Sequence, residues 1–128
     1  MQPIRPRESV ILAENFDAMV KWYCETLGFK ITDLFEKDYH FAHLQTESGI
    51  RVGIGSAKEM GLEPKDRSKN TVLLQFEVDD LPGYFKHLVS AGAKALFGPS
   101  FDKENNFWFG GFADPEGNPW WVVDKDCP

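Results

Sequence analysis

The sequence predicts an α+β fold made of two tandem βαβββ modules, which form curved antiparallel sheets around a shared trough. Two observations predict this fold. First, a strand pattern, a helix pattern and three further strand patterns occur in this order, and the order repeats after a polar linker. Second, one face of the two helix patterns matches at a constant offset of 65 residues. The matched residues are Phe16, Val20 and Tyr23 in the first pattern and Leu81, Phe85 and Leu88 in the second.

The first module is expected over about residues 7–56, within a single domain that spans residues 1–128. Its first strand is the β-branched run 8–13. From Phe16 the apolar period becomes helical, with Asn15 as the N-cap and Gly28 as the left-handed residue that ends the helix. Three more strands are predicted to follow, over residues 29–35, 39–46 and 49–55.

The polar and charged segment 57–69 is predicted to be a linker, and the second module is expected over about residues 70–125. A strand over 72–78 precedes a helix over 81–91, which Gly92 closes. The last strands are predicted over 94–97, 106–113 and 119–123. Between the final two, Asp-Pro-Glu-Gly indicates a hairpin, because Pro115 fixes φ and Gly117 accepts a positive φ.

Composition narrows the class of partner. The chain has 14 basic and 20 acidic residues, a net charge of −6, which argues against nucleic acid or an anionic membrane surface and favours a neutral or cationic ligand. No apolar run reaches the roughly 20 residues of a membrane span. Cys24 and Cys127 do not form a disulfide framework, so both are read as free thiols in a reducing compartment, and a cytoplasmic location is expected.

Alternation along the strands sorts side chains into two predicted groups. One group faces the helices as core, and the other faces the trough, where a ligand would bind. The core group is Leu44, Ile50, Val52, Ile54, Leu74, Phe76, Val78, Trp120 and Val122. The trough group is Glu8, Phe41, His43, Gln45, Arg51, Gly53, Leu73, Gln75, Glu77 and Trp121.

The segment 112–118, together with Trp22-Tyr23 and Leu27-Gly28-Phe29, resembles the signature ends of the vicinal oxygen chelate superfamily of glyoxalase I, bleomycin-resistance proteins and extradiol dioxygenases. The resemblance covers about residues 8–124. Metal-dependent members bind one divalent ion with His and Glu side chains from strands 1, 4, 5 and 8. The resemblance carries these four positions onto Glu8, Gly53 (or Val52), Leu73 and Trp121.

Of these positions only Glu8 offers a metal ligand, and one carboxylate does not hold a divalent ion. The resemblance therefore points to the non-metal, bleomycin-resistance-like branch, with no cofactor. It implies metal-independent binding of a small, planar or cationic molecule, such as sequestration of a drug or toxin, by a homodimer. No catalytic residue is assigned. The expected ligand-binding residues are Glu8, Phe41, His43, Gln75, Glu77, Trp108 and Trp121.

Two alternatives stay open. One is an enzyme of the lyase or isomerase type, either with a displaced metal site built from Glu8, His43, Gln75 and Glu77, or with Glu8 or His43 as general base. The other is an interaction module that uses the fold only as a scaffold. A metal held by both His40 and His43 is not expected, because residues three apart on a strand face opposite sides.

Overall fold

A computed structural model describes residues 1–3 and 5–128. The chain divides into two compact units, unit 1 over residues 1–64 and unit 2 over residues 65–128. Each unit contains one strand, one helix and three further strands, so the predicted fold class is confirmed. Unit 1 consists of β1 (Ser9–Ala13), α1 (Phe16–Leu27), β2 (Lys30–Phe35), β3 (Phe41–Gln45) and β4 (Arg51–Ser56). Unit 2 consists of a 3-10 turn (Arg67–Lys69), β5 (Leu74–Val78), α2 (Leu81–Ser90), β6 (Lys94–Asp102), β7 (Phe107–Ala113) and β8 (Pro119–Asp124).

The sheet of unit 1 has the strand order β1-β4-β3-β2. β2, β3 and β4 form an antiparallel meander. β1 pairs in parallel with β4, which is one edge of this meander. The sheet is therefore mixed, whereas the sequence predicts a wholly antiparallel one. The chain crosses over from β1 to β2 through α1, and such a crossover connects parallel strands. Because β4 runs in the same direction as β2, β1 is also parallel to β4. A register shift between Ile31 and Asp33 interrupts the β2–β3 ladder.

The sheet of unit 2 repeats this arrangement in the order β5-β8-β7-β6, with β5 parallel to β8. β6 runs five residues further than the sequence predicts. The strand continues past Gly98 and Pro99 through two register shifts against β7. Such bulges let a strand absorb irregular residues and still remain paired.

The cap residues of α1 are those that the sequence predicts, whereas α2 has Asp80 as its N-cap and Ala91 as its C-cap, followed by the predicted Gly92 with a φ of 84°. The Asn15 side chain accepts a hydrogen bond from the Ala18 backbone N–H at 3.1 Å, and Gly28 adopts a left-handed conformation with φ of 79° at the end of α1. In α2, the Asp80 carboxylate accepts from the Gly83 N–H at 3.1 Å. No helix in the described part of the chain is both long and apolar enough to cross a membrane.

The hairpin between β7 and β8 is organised by one buried carboxylate. Asp114 Oδ1 accepts hydrogen bonds from the backbone N–H groups of Glu116 and Asn118, and Oδ2 accepts from the Asn118 side chain at 2.7 Å. Gly117 has a φ of 91°, as the turn prediction requires. The Asp114 side chain thus provides the hydrogen-bond acceptor for two backbone N–H groups of its own turn.

The cores lie between each sheet and its own helix. In unit 1 the predicted core residues Leu44, Val52 and Ile54 are fully buried, and in unit 2 Trp120 and Val122 are. Trp120 stacks on Phe112, its partner across the β7–β8 ladder. The alternation of the strands therefore assigns the helix-facing side of these residues correctly, whereas the remaining predicted core residues are only half-buried: Ile50, Leu74, Phe76 and Val78.

Candidate functional site

We call the side of each sheet opposite its helix the open face. In unit 1, His43 pairs with Gly53 and Phe41 pairs with Gly55 across β3 and β4. Their neighbours Leu44 and Ile54 are buried beneath the helix, so these four residues lie on the open face. The predicted trough residues of unit 1 therefore share one face of one sheet.

A side-chain hydrogen bond between His43 and Glu8 lies on this face. His43 Nδ1 is 2.7 Å from Glu8 Oε2, and the Glu8 side chain is only 10% exposed. Because a carboxylate can only accept, the Nδ1–H donates, and this fixes the neutral imidazole as the tautomer with its lone pair on Nε2. The strand β3 positions His43, and Glu8 reaches it from the residue that precedes β1.

Aromatic rings surround the pair. The Phe41 ring centroid is 4.9 Å from that of His43, and the Phe35 ring is 6.0 Å away, edge to face. Phe35 also stacks on Tyr39, which is half exposed. The imidazole therefore has a fixed position between an acidic partner and aromatic walls.

The metal-ligand positions that the resemblance carries over do not fit a metal. A Cβ at Gly53 would lie 2.7 Å from the Phe41 Cζ and 3.0 Å from Glu8 Oε1, so a ligating side chain has no room there. Leu73 and Trp121 carry no metal-binding atom of the required kind. Among residues 1–3 and 5–128, no group of three or more His, Cys, Asp or Glu side chains is arranged to hold an ion.

The open face of unit 2 has a different character. Gln75 and Glu77 are exposed on β5 and pair with Trp121 and Val123 of β8, so they share a face with Trp121. The Trp121 side chain is 43% exposed and makes an edge contact with Phe97 at 5.9 Å between ring centroids. This face thus presents aromatic rings beside an unburied carboxylate.

Trp108 lies on the other side of the sheet. Phe112 and Trp120 face the helix, and Trp108 is four residues before Phe112 in the same strand. Its ring contacts Phe101 at 5.3 Å, and its backbone N–H donates to the buried Asp124 carboxylate. Of the seven expected ligand-binding residues, the structure places three on the open face of unit 1, three on that of unit 2, and Trp108 on neither.

Two features were missed in the sequence. Phe97 joins the aromatic surface because a register shift in β6 after Ala95 pairs it with Gly111, and Phe109 contacts it at 6.4 Å between ring centroids. In unit 1, His40 binds Glu59 twice, through its backbone N–H at 2.7 Å and through Nδ1 at 2.6 Å. This hydrogen bond to Glu59 raises the pKa of His40, and the same contacts lower the pKa of Glu59. No local sequence signal joins residues 19 apart in a chain.

Paired βαβββ units with this strand order define the two-module architecture of glyoxalase-like proteins. The chain matches the profile of the Glyoxalase/Bleomycin resistance protein/Dioxygenase superfamily over residues 8–122, and it belongs to this superfamily. No curated protein matches it.

Solved structures share the fold at low sequence identity. A superfamily member from Sphaerobacter thermophilus DSM 20745 is 20% identical with a TM-score of 0.75, and the match covers 95% of this chain and 98% of that one. A family enzyme from Burkholderia phytofirmans PsJN is 20% identical with a TM-score of 0.72, covering 91% and 95%. A glyoxalase I mutant from Zea mays is 19% identical with a TM-score of 0.75, covering 91% of this chain and 43% of that one.

Proposed function

We propose that this protein binds a small, planar, cationic molecule without a metal ion. One observation carries the proposal: the open face of each unit places aromatic rings beside a carboxylate. Aromatic faces attract cations through the ring quadrupole, and a carboxylate adds a direct charge partner. The net charge of −6 favours the approach of such a ligand.

In unit 1 the binding groups are held in place before any ligand arrives. Glu8 is oriented by its bond to His43, and Phe41 is flanked by the His43 ring on one side and covers Gly53. Groups that are already ordered lose little conformational entropy on binding. We assign Glu8 to the positive group of the ligand and Phe41 with His43 to its ring.

In unit 2 the binding surface is wider and more exposed. Trp121 supplies a large ring that is 43% exposed, and Gln75 and Glu77 lie on the neighbouring strand. Tryptophan is the side chain that attracts a cation most strongly. We assign Trp121 to stacking, Glu77 to charge and Gln75 to a hydrogen bond.

The proposal extends to the non-metal, bleomycin-resistance-like branch of the superfamily and to sequestration of a drug or toxin in the cytoplasm. The misfit of a ligating side chain at Gly53 supports the non-metal branch. We also propose a homodimer. The edge strands β1, β2, β5 and β6 offer backbone groups for pairing with a second copy, and sedimentation velocity would test it.

A thermal-shift titration tests the binding proposal. The protein is treated with EDTA and titrated with N-methylacridinium, a planar cation, and with anthracene-9-carboxylate, a planar anion of similar size. A ligand at a hundredfold excess over its Kd stabilises the folded state by about 2.7 kcal/mol, so the cation is expected to raise the Tm and the anion is not. Equal shifts from both compounds would contradict the proposal.

Matched variants locate the site. Glu8→Gln and Glu77→Gln each remove one carboxylate from an open face, and each is expected to weaken binding of the cation by about tenfold, which corresponds to 1.4 kcal/mol. Glu47→Gln makes the same charge change in the exposed β3–β4 turn and is expected to leave binding unchanged. An equal loss of affinity in all three variants would show that the overall charge of the protein, and not a local site, causes the effect.

A second candidate function is general-base catalysis, which the 2.7 Å contact between Glu8 and His43 favours. The carboxylate holds the imidazole in the tautomer whose Nε2 can take a proton. In the step we propose, Nε2 removes a proton from a carbon next to a carbonyl group. The C–H electron pair forms the enolate, the proton held on Nε2 exchanges with solvent, and Nε2 then delivers a solvent-derived proton to the same carbon.

Deuterium exchange into acetophenone in D₂O tests this candidate, because the compound is an aromatic carbon acid. The wild type should accelerate exchange of the methyl protons, and His43→Gln should lower the enzymatic rate by about a hundredfold or more. Glu8→Gln should also lower the exchange rate, because Glu8 orients the His43 ring. No acceleration by the wild type would remove this candidate and leave the binding proposal intact.

A further inference from the structure

A groove of about 270 Å³ lies in unit 1 between α1 and the edge strand β2, on the helix side of the sheet. It is therefore separate from the open face that carries Glu8 and His43. Its apolar lining consists of Phe16, Val20, Cys24, Ile31 and Leu34. Its charged lining consists of Asp17, Lys21, Glu25 and Glu36.

The groove arises from the register shift in β2. Ile31 pairs with Leu44 and Leu34 pairs with Ala42, and both partners are buried on the helix side. In a regular strand, residues three apart would face opposite sides, but the bulge between them turns both toward α1. Ile31 and Leu34 nevertheless remain 45% and 41% exposed, since β2 is the edge strand.

The helix contributes two neighbouring rows to this groove. Phe16, Val20 and Cys24 recur every four residues and form an apolar row. Asp17, Lys21 and Glu25 follow the same spacing one residue later, and Glu36 comes from the end of the opposite strand. The charged lining has three carboxylates and one ammonium, so it is net negative.

We propose that this groove binds a small organic cation with an apolar body. The apolar row and the two strand residues would hold the body, and Glu25 and Glu36 would hold the charged group. The occupant is small, because the volume falls just below the range of about 300–1,000 Å³ that is usual for drug-sized ligands. The inference is independent of the function proposed for the open faces.

Two other occupants fit less well. A second copy of this chain placed symmetrically on the groove would bring the same net negative rim against itself. A folded protein partner needs about 800 Å² of surface on each side, which is far more than a groove of this size offers. The charge and the size both favour a small cation.

Protection of Cys24 from alkylation tests the proposal directly, because this thiol lines the groove. The Cys127→Ser variant leaves Cys24 as the only cysteine, and N-ethylmaleimide is the reagent. Burial, with a smaller contribution from Glu25, raises the pKa of Cys24, so the reaction is followed at mildly alkaline pH. Benzyltrimethylammonium is the cationic probe and benzenesulfonate the anionic control.

At saturation the cation is expected to slow alkylation by about threefold or more, and the anion is expected to have no effect. The double variant Glu25→Gln/Glu36→Gln should lose this protection, whereas Glu47→Gln/Glu63→Gln, with the same charge change, should keep it. Glu8→Gln/Glu77→Gln should also keep it, which separates this groove from the open faces.

Several results would overturn the proposal. Absence of protection, or equal protection by benzenesulfonate, would exclude a site for cations. Loss of protection in Glu8→Gln/Glu77→Gln would place the probe on an open face. Alkylation that slows with rising protein concentration and no probe would show that a second copy covers the groove.

Discussion

The two units use one topology to present two different surfaces. In unit 1 the open face holds a nearly buried carboxylate, Glu8, bonded to an imidazole beside closely packed rings. In unit 2 the equivalent face presents Trp121 and Phe97, each about two-fifths exposed, beside the exposed residue Glu77. The same strand order therefore supports a fixed polar pair in one unit and an accessible aromatic surface in the other.

The difference follows from the residues at the centre of each face. Gly53 lets the Phe41 ring and the Glu8 carboxylate approach the backbone of β4 closely. At the matching level of unit 2, Gly111 pairs with Trp121, and the Phe97 ring covers the glycine from a strand at the sheet edge. The absence of a Cβ thus makes room for the Glu8–His43 pair and Phe41 in one sheet and for the edge-to-face contact of Phe97 with Trp121 in the other.

The largest expected effect on stability comes from replacing Trp120 in unit 2, whereas replacing its neighbour Trp121 should mainly affect ligand binding. Trp120 is 2% exposed and stacks on Phe112, whereas its neighbour Trp121 is 43% exposed. Trp120→Ala is expected to lower the free energy of unfolding by about 3–5 kcal/mol. Trp121→Ala should lower it by about 1 kcal/mol or less and should weaken binding of N-methylacridinium instead. Urea unfolding of both variants measures the contrast, and equal losses of stability would contradict the face assignment.

The second effect concerns the packing of the open face in unit 1. A methyl group at Gly53 would press on Phe41 and Glu8, so Gly53→Ala is expected to lower stability by about 1–3 kcal/mol. The double variant Gly53→Ala/Phe41→Leu removes the ring and should recover part of the loss. Urea unfolding gives both values. A fully additive result would show that the ring and the glycine are not coupled.

The third effect compares the two carboxylates. Glu8→Gln removes the charged acceptor of a partly buried hydrogen bond and is expected to lower stability by about 1–2 kcal/mol. Glu77→Gln changes an exposed side chain and should stay within about 0.5 kcal/mol. Chemical unfolding near neutral pH measures both changes. If Glu77→Gln were as damaging as Glu8→Gln, the contrast between the faces would be wrong.

The smallest effect concerns pH and the exposed pair of His40 and Glu59. Because Glu59 raises the pKa of His40, the stabilisation from the histidine is complete below its ordinary pKa of 6.5 and is lost as pH rises through the higher folded value. Because His40 lowers the pKa of Glu59, the carboxylate contribution is present above 4.5 and is lost as pH falls through the lower folded value.

The stability difference between wild type and His40→Gln should therefore be largest between about pH 4.5 and 6.5. It should decrease on both sides of that window. Urea unfolding across pH gives the profile. A difference that stays constant over the whole range would show that the pair does not form in solution.

The sequence was sufficient for the order of the elements, the caps of α1, the β7–β8 hairpin and the faces of most strands, but not for the length of β6 or the side on which Trp108 lies. Asn15, Gly28 and Gly117 are local signals, and each acts on its own turn of backbone, so the caps and the hairpin followed directly. Alternation then assigned Trp120 to the core and Trp121 to the open face, because the side-chain period of a strand is two.

The sequence was insufficient for features that depend on the pairing register of the strands or on tertiary packing. Irregular pairing extends β6 and brings Phe97 to Trp121, and a bulge turns Ile31 and Leu34 to the same side. The ion pair between Arg67 and Glu116, at 3.1 Å in unit 2, joins a segment predicted as a solvated linker to a distant turn. Such contacts depend on tertiary packing, which no local pattern encodes.

Calorimetric titration of the EDTA-treated protein with N-methylacridinium, repeated after one equivalent of Zn²⁺ or Mn²⁺ is added, tests the central claim most directly. The proposal of metal-independent binding predicts the same Kd for the cation in every sample, with the metal content of the first sample near zero. Binding that occurs only after metal is added would contradict the proposal and would require a metal site in this protein.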